Sequence, residues 1–239
     1  MPADRIFYCM DYDHLSRQSG MYIADLMNRA IQNNGRCTLV LSGGRTPKQL
    51  YRLLGNGSVN PAGLPIDWSV VNLFLADEHI VSPDYPESNF LMIRENLVNT
   101  IPHFTGTLNH PDITLQDPLQ IADVYEQVMR SYFHPDAFWP KFDIIVLGLG
   151  TDGHTGSLFS DSTALNTQKR WVSEVHRKPA DTDRITMTLP VINHARHVVF
   201  LVSGTDKSEV FRKVIEGDPA LPASRVRPID GTLTFFVSE

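Results

Sequence analysis

The chain has 239 residues, of which 42% are hydrophobic and 20% charged, and its formal net charge is -6 at pH 7. This length and composition suit a folded α/β protein of one large domain or two small ones, and the acidic balance disfavours nucleic-acid binding, which needs a basic face. No apolar run approaches the roughly 18 residues of a membrane span, so we expect neither a nucleic-acid partner nor a membrane partner.

The cysteines and the first residues indicate a compartment. Cys9 and Cys37 form no CxxC pair and no Cys/His spacing typical of a zinc site. Free thiols fit a reducing cytosol, and residues 1–14 lack the basic start and apolar core of a signal peptide. We therefore expect a cytoplasmic protein, either a monomer or a small homo-oligomer.

The spacing of apolar residues predicts strands that alternate with helices. From the N-terminus, helices are predicted at 15–32, 47–54, 89–98, 119–132 and 208–215, and strands at 37–41, 70–75, 142–147, 198–202 and 233–237. The stretches 82–86 and 100–118 are rich in Pro, Asn, Asp and Gly and are predicted as loops. Continuous Val/Leu/Ile strands are typical of a parallel sheet covered on both faces. The sequence predicts a three-layer α/β/α sandwich with a mostly parallel, Rossmann-like sheet, in a single domain over residues 1–239.

In such sheets, ligands bind at the carboxyl ends of the strands, and the first loop after a strand is SGGRT at 42–46. Two glycines let backbone N–H groups approach a ligand, Thr46 is predicted as a helix N-cap, and Pro47 opens the helix. A helix N-terminus with free N–H groups favours an anion such as phosphate. The alternative is an ordinary strand-to-helix turn.

The second loop holds an acidic pair beside a histidine. Asp77, Glu78 and His79 follow the strand predicted at 70–75. The carboxylates could orient sugar hydroxyls, or one could raise the pKa of the other. Alternatively, they cap loops or the helix near Ser88, and on this motif alone the capping role is favoured.

The third loop, at 148–159, places Asp152 two residues before His154 in a glycine-rich turn. A carboxylate on one ring nitrogen fixes the tautomer and leaves the other nitrogen free to take a proton. The same loop contains GxGxxG at 148–153, the pattern of a dinucleotide site. We reject that interpretation, because Asp152 would place a negative charge where pyrophosphate binds and the loop lies in mid-chain.

Together, these motifs resemble the 6-phosphogluconolactonase family, within the glucosamine/galactosamine-6-phosphate isomerase superfamily. The resemblance rests on SGGRTP at 42–47, DEH at 77–79, ESN at 87–89 and LGLGTDGHTGSLF at 147–159, with weaker matches in RIT at 184–186 and GTDK at 204–207. It implies a sugar-phosphate isomerase/deaminase-like fold with no required metal or organic cofactor. It also implies hydrolysis of 6-phospho-D-glucono-1,5-lactone to 6-phosphogluconate in the oxidative pentose phosphate pathway.

The resemblance also implies roles for individual residues. His154 becomes the general base with Asp152 as its neighbour, and the phosphate partners become Gly43, Gly44, Arg45, Thr46, Arg184 and Lys207. Asp77, Glu78 and His79 either contact substrate or brace the loop. Many relatives have Arg where this chain has His79, and we expect His79 to be a weaker, pH-dependent substitute for which Arg45 compensates.

Two rival functions differ in the acid/base groups they need. Glucosamine-6-phosphate deaminases share a similar loop but have a Glu after the catalytic His, whereas this chain has no carboxylate after His154 until Asp161. A non-catalytic phosphosugar-binding module would keep the phosphate loop and lose the base, and His154 argues against it. The sequence therefore favours a lactonase whose partner is a small phosphorylated sugar lactone.

Overall fold

A computed structural model describes residues 5–60, 63–134, 136–177 and 181–239. Among these residues, seven strands form one sheet in which every neighbouring pair is parallel. Its order is β1 (Arg5–Cys9), β10 (Thr232–Ser238), β9 (His197–Ser203), β6 (Ile144–Gly148), β2 (Cys37–Leu41), β3 (Val71–Leu75) and β5 (Thr107–Asn109). The expectation of a mostly parallel sheet is confirmed.

Helices cover both faces of this sheet, so the three-layer prediction is also confirmed. The helices are α1 (Tyr12–Asn34), α2 (Pro47–Gly55), α3 (Asn89–Asn96), α4 (Pro118–Arg130), α5 (Leu189–Asn193) and α6 (Ser208–Glu216). Side chains alternate along β2: Leu39 and Leu41 pack with α1, α2 and α3, whereas Val40 packs with α4 and the opposite core. The two fully buried cores, one on each face, explain why the strand sequences are apolar without alternation.

A second, antiparallel sheet stands beside the first. Its order is β4 (Asp77–His79), β8 (Arg184–Met187) and β7 (Val172–Val175). The strand β4 follows β3 after one residue, so it continues from the carboxyl edge of the main sheet. This small sheet therefore lies where the candidate loops emerge.

The sequence predictions missed the short or exposed elements. The strand β1 is an edge strand with mostly exposed residues, and β4, β5, β7, β8 and α5 contain only three to five residues each. The loop predicted at 100–118 is wrong in part, because β5 lies inside it and pairs with β3. Periodicity over such short segments carries little information, and long-range pairing decides their structure. No helix in the described ranges is both long and apolar enough to cross a membrane.

Candidate active site

A pocket of about 200 Å³ opens at the carboxyl edge of the main sheet. The strands β2 and β6 are neighbours there. The strands that follow β2 in the chain, β3 and β5, lie on one side of this pair, and those that follow β6, β9 and β10, lie on the other. Such a switch point leaves a crevice between the loops of the two strands. The pocket is lined by Ser42 to Pro47, Asp77, His79, Asn89, Gly148 to Gly150, His154, Gly156, Arg184 and Lys207.

The loop after β2 presents free backbone donors to this pocket. No acceptor within the described ranges pairs with the backbone N–H groups of Gly44, Arg45 and Thr46. At Gly43 a side chain is excluded, because a Cβ atom would lie 1.7 Å from Oδ1 of Asn89. The backbone of this loop can therefore approach a ligand closely, which is the geometry that the predicted anion site requires.

The prediction that Thr46 is the N-cap residue of α2 is confirmed for its position, but its side chain does not cap the helix. Thr46 has helical backbone angles (φ -60, ψ -42), and its side chain makes no capping hydrogen bond, since a capping side chain needs an extended backbone to reach the next turn. Instead, the Tyr12 hydroxyl donates to the Thr46 carbonyl oxygen at 3.0 Å. Pro47 does open the helix, as predicted.

Lys207 brings a second cation to the same end of the pocket. It follows β9 and lies close enough to Arg45 for the two charges to interact. Burial lowers the pKa of Lys207 most; the charge of Asp206 opposes this shift, and the charge of Arg45 adds to it. Two positive charges that face one cavity repel each other, and an anion bound between them offsets this repulsion.

The antiparallel ribbon of β4 and β8 supplies one wall. Asp77 lies opposite Thr186 and His79 lies opposite Arg184, so these four side chains share a face of the ribbon. Asp77 is held by the buried hydroxyl of Ser157, which donates to Oδ2 at 2.7 Å. Ser157 is fully buried and is not among the residues that line the pocket, so it is not placed to attack a substrate.

Glu78 points to the other face of the ribbon and braces α3. Its Oε1 accepts backbone N–H bonds from His79 (2.8 Å) and Asn89 (2.7 Å), and its Oε2 accepts one from Phe90 (2.7 Å). The hydroxyl of Ser88 adds a fourth bond at 3.3 Å. Burial raises the pKa of Glu78 to about 7, although the backbone hydrogen bonds act to lower it. The alternative in which this residue caps the helix near Ser88 is therefore confirmed for Glu78.

His79 is held in one tautomer. Its Nδ1 lies 2.6 Å from the Glu87 carbonyl oxygen, which can only accept, so Nδ1 carries the proton. Burial, and then the charge of Arg184, lower the pKa of His79, while Asp77 and Asp181 oppose that shift. The ring is therefore neutral near pH 7, which does not fit the expected pH-dependent phosphate partner.

The loop after β6 orients His154 as the sequence predicted. Nδ1 of His154 lies 2.5 Å from Oδ1 of Asp152, and the backbone N–H of His154 donates to the same oxygen at 3.1 Å. Burial opposes ionisation of Asp152, but the hydrogen bonds and charge of His154 outweigh it and lower the pKa of Asp152. Gly150 leaves room for this ring, because a Cβ atom there would lie 2.2 Å from Nδ1 of His154.

Most of the predicted site residues thus meet in one pocket. Asp152 and Glu78 are not part of its lining but fix residues that are. The sequence reasoning did not single out Asn89, whose Nδ2 donates to the Asp77 carbonyl oxygen at 2.9 Å, although the motif ESN contained it. Nor did it identify the contact of Phe159 with His154, whose ring centres are 4.6 Å apart. In the described ranges, no three His, Cys, Asp or Glu side chains are grouped to hold a metal ion.

Comparisons with known proteins agree with this geometry. The family described as "Glucosamine-6-phosphate isomerases/6-phosphogluconolactonase" matches residues 10–235. The 6-phosphogluconolactonase of Synechocystis sp. is 36% identical over 217 residues (89% of this chain and 86% of that protein), and that of Rattus norvegicus is 34% identical over 212 residues (87% and 80%).

Solved structures give the same result for the fold. The 6-phosphogluconolactonase of Trypanosoma cruzi superimposes with a TM-score of 0.84 at 29% identity, covering 99% of this chain and 94% of that one. The 6-phosphogluconolactonase of Thermotoga maritima gives 0.82 at 26% identity, covering 99% and 100%. The similarity therefore extends over both sheets and not only over the motifs.

Proposed function

The chain belongs to the glucosamine-6-phosphate isomerase/6-phosphogluconolactonase family, and we propose that it uses His154 as a general base to hydrolyse 6-phospho-D-glucono-1,5-lactone. This lactone hydrolysis yields 6-phospho-D-gluconate and is a step of the oxidative pentose phosphate pathway. It is the activity that the named relatives share, and it is the activity of this chain. The observation that carries the mechanism is the Asp152–His154 pair: Asp152 occupies Nδ1 of His154, Nε2 has no hydrogen-bond partner in the described ranges, and His154 lines the pocket.

The first step is attack of water on the lactone carbonyl carbon. Because Asp152 binds the Nδ1 proton, Nε2 of His154 is the nitrogen that takes a proton from water while the water oxygen bonds to C1. General-base assistance of this kind contributes about 10²- to 10⁴-fold. Asp152 also stabilises the imidazolium that forms.

The second step is opening of the ring. The electron pair of the carbonyl bond moves to oxygen and returns as the bond between C1 and the ring oxygen breaks. The imidazolium of His154 then gives its proton to the leaving ring oxygen, so atoms and charges balance without a covalent intermediate. Backbone N–H groups of the glycine-rich loops stabilise the oxyanion, and one such donor contributes about 3–4 kcal/mol where measured.

The phosphate is held by a separate set of backbone donors and cations in the same pocket. The free N–H groups after β2 act with the side chains of Arg45, Lys207 and Arg184, all of which line the pocket. Binding a group remote from the reaction positions C1 against His154 and lowers the entropic cost of reaching the transition state. We also propose that the enzyme works in the cytoplasm as a monomer or small homo-oligomer and binds no nucleic acid.

The test is a coupled lactonase assay. Glucose-6-phosphate dehydrogenase generates the lactone in place, and 6-phosphogluconate dehydrogenase reports the product against the spontaneous rate. We expect His154→Ala to lose at least 10²-fold in kcat. The matched control is His134→Ala, because His134 also pairs with an aspartate two residues away, Asp136, but on the surface. Equal activity of His154→Ala and wild type would remove His154 from the mechanism.

The wild type and the His154→Ala variant also test the rival activity, the deamination of glucosamine 6-phosphate. Glucosamine-6-phosphate deamination needs a further acid/base carboxylate, and the first carboxylate after His154, Asp161, is instead paired with Arg177 at 3.3 Å. We therefore expect no release of ammonia from glucosamine 6-phosphate. Deamination that depends on His154 would reverse the assignment.

A further inference from the structure

Within the described ranges, the guanidinium of Arg184 forms hydrogen bonds through one nitrogen only. Its Nη2 donates to Oδ1 of Asp181 at 3.1 Å and to Oδ2 at 3.4 Å. Its Nε is buried and has no hydrogen-bond partner within the described ranges, although the residue lines the pocket. A buried donor without an acceptor costs free energy. Its Nη1 likewise makes no hydrogen bond within the described ranges, so Arg184 lines the pocket with donors that its protein partners leave unused.

Asp181 is itself fixed in place. Nε of Arg177 donates to its Oδ2 at 3.0 Å, and the backbone N–H of Thr182 donates to its Oδ1 at 2.8 Å. Burial opposes ionisation, but the hydrogen bonds of Arg177 and Arg184 outweigh it and lower the pKa of Asp181 to about 2. The residue is thus a fixed negative charge between two arginines at every pH at which the enzyme would be assayed.

Both arginines also pack on the aromatic ring that contacts the base. The Cζ atoms of Arg177 and Arg184 lie 3.9 and 5.2 Å from the centre of the Phe159 ring. The ring of Phe159 in turn lies 4.6 Å from that of His154. A guanidinium held on an aromatic face keeps a defined orientation. Arg184 is therefore restrained by an anion at one nitrogen and by a ring on one face.

We propose that Asp181 is a positioning residue, which holds Arg184 in the orientation that binds the substrate phosphate. This inference rests on the proposed function, because it assumes that Arg184 is a phosphate partner. An arginine side chain has many rotamers, and a guanidinium gains its bidentate geometry only when it is already oriented. Asp181 restricts those rotamers before the substrate arrives.

If Asp181 acts only through its negative charge, the expected effect on substrate binding is reversed. Asp181 would then compete with the phosphate for Arg184, and removing its charge would tighten substrate binding. The structure favours positioning, because Asp181 shares its charge with Arg177 and touches Arg184 only at Nη2. Because the contact with Asp181 uses only Nη2, the rest of the guanidinium stays without a hydrogen-bond partner in the described ranges while that contact persists.

The test compares Asp181→Asn with Asp161→Asn in the coupled lactonase assay. Asp161 pairs with Nη1 of the same Arg177 at 3.3 Å and makes no hydrogen bond to Arg184 within the described ranges. We expect Asp181→Asn to raise KM about fivefold to tenfold with kcat within about twofold of wild type. Asp161→Asn should leave both constants within about twofold. The Kd of 6-phosphogluconate, measured by calorimetry, should rise with KM.

Three results would overturn the proposal. The first is an unchanged or lower KM in Asp181→Asn, and the second is an equal rise in Asp161→Asn. The third is a raised KM in Asp181→Asn together with an unchanged KM in Arg184→Ala, because the effect would then not pass through Arg184. If the wild type is an active lactonase and Arg184→Ala has a raised KM, the proposed function stands. A failure of the Asp181→Asn prediction then counts against the positioning role alone.

Discussion

Replacing Asp152 with Asn tests how much the carboxylate contributes to the base. Oδ1 of Asp152 accepts from both the backbone N–H and Nδ1 of His154. The backbone donor should keep the amide oxygen of the variant in the same position, so the tautomer of His154 is retained. The variant then loses only the charge of the acceptor and keeps the hydrogen bonds.

The expected loss follows from that difference. Hydrogen bonds to charged groups contribute about 1.5–3 kcal/mol and those between neutral groups about 0.5–1.5 kcal/mol. The side chain of Asp152 is 61% exposed, so water screens its charge and the loss should lie near the lower end, about 1–1.5 kcal/mol. That corresponds to a fall in kcat of roughly 5- to 15-fold. KM should not change, because Asp152 is outside the pocket lining.

The assay is the coupled lactonase measurement, with Asp136→Asn as the matched control for removing the carboxylate of a surface His–Asp pair. A loss below twofold would show that Asp152 does not assist the base. A loss above 10³-fold would show that the amide had reversed the tautomer, as in buried triads where the loss is about 10⁴-fold.

Three further predictions concern the phosphate partners and the brace. Lys207→Ala and Arg184→Ala should each raise KM about tenfold or more with little change in kcat, because Lys207 and Arg184 hold a group remote from the reaction. An unchanged KM in both variants would remove the two residues from the phosphate site. Arg45→Ala should raise KM whereas His79→Gln should not, since His79 is neutral and bound to the Glu87 carbonyl; Michaelis–Menten measurements in which Arg45→Ala matches wild type would contradict this. Glu78→Gln should lower the free energy of unfolding in urea by about 1–3 kcal/mol at pH 7, because an amide cannot accept from all four donors. Burial raises the pKa of Glu78 to about 7, so the folded state keeps a proton that the unfolded state releases, and Glu78 should make stability fall as pH rises from about 4.5 to 7. The Glu78→Gln variant should lose this part of the slope, and an unchanged slope would show that Glu78 is ionised in the folded protein.

The sequence predicted the elements whose packing is local. The strand at 37–41 was predicted with the bounds that the structure shows, since a short, mostly apolar run between glycine-containing turns favours a buried strand. The loop with Asp152 and His154 was predicted because both residues lie on one turn. In contrast, β4 and β8 pair residues more than 100 positions apart, such as His79 and Arg184, and no local pattern encodes that pairing.

The role of each acidic residue was undecided for the same reason. Asp77 and Glu78 are neighbours in sequence, but β4 directs them to opposite faces, towards the pocket and towards α3. Which face is which depends on the partner strand β8, and therefore on the fold. The contact between Asp181 and Arg184 is local in sequence, yet its importance appears only when Arg184 is known to line the pocket.

The position of the site at the switch point explains how it combines anion binding with general-base catalysis. The anion-binding loop follows β2 and the base follows β6, which are adjacent strands about 4.8 Å apart. The rigid sheet therefore fixes the distance between the phosphate and the base. The ribbon of β4 and β8 adds the third wall, and it can form only when segments from both halves of the chain have met. A fragment that contains either half alone would lack a wall, so binding and catalysis depend on the complete fold.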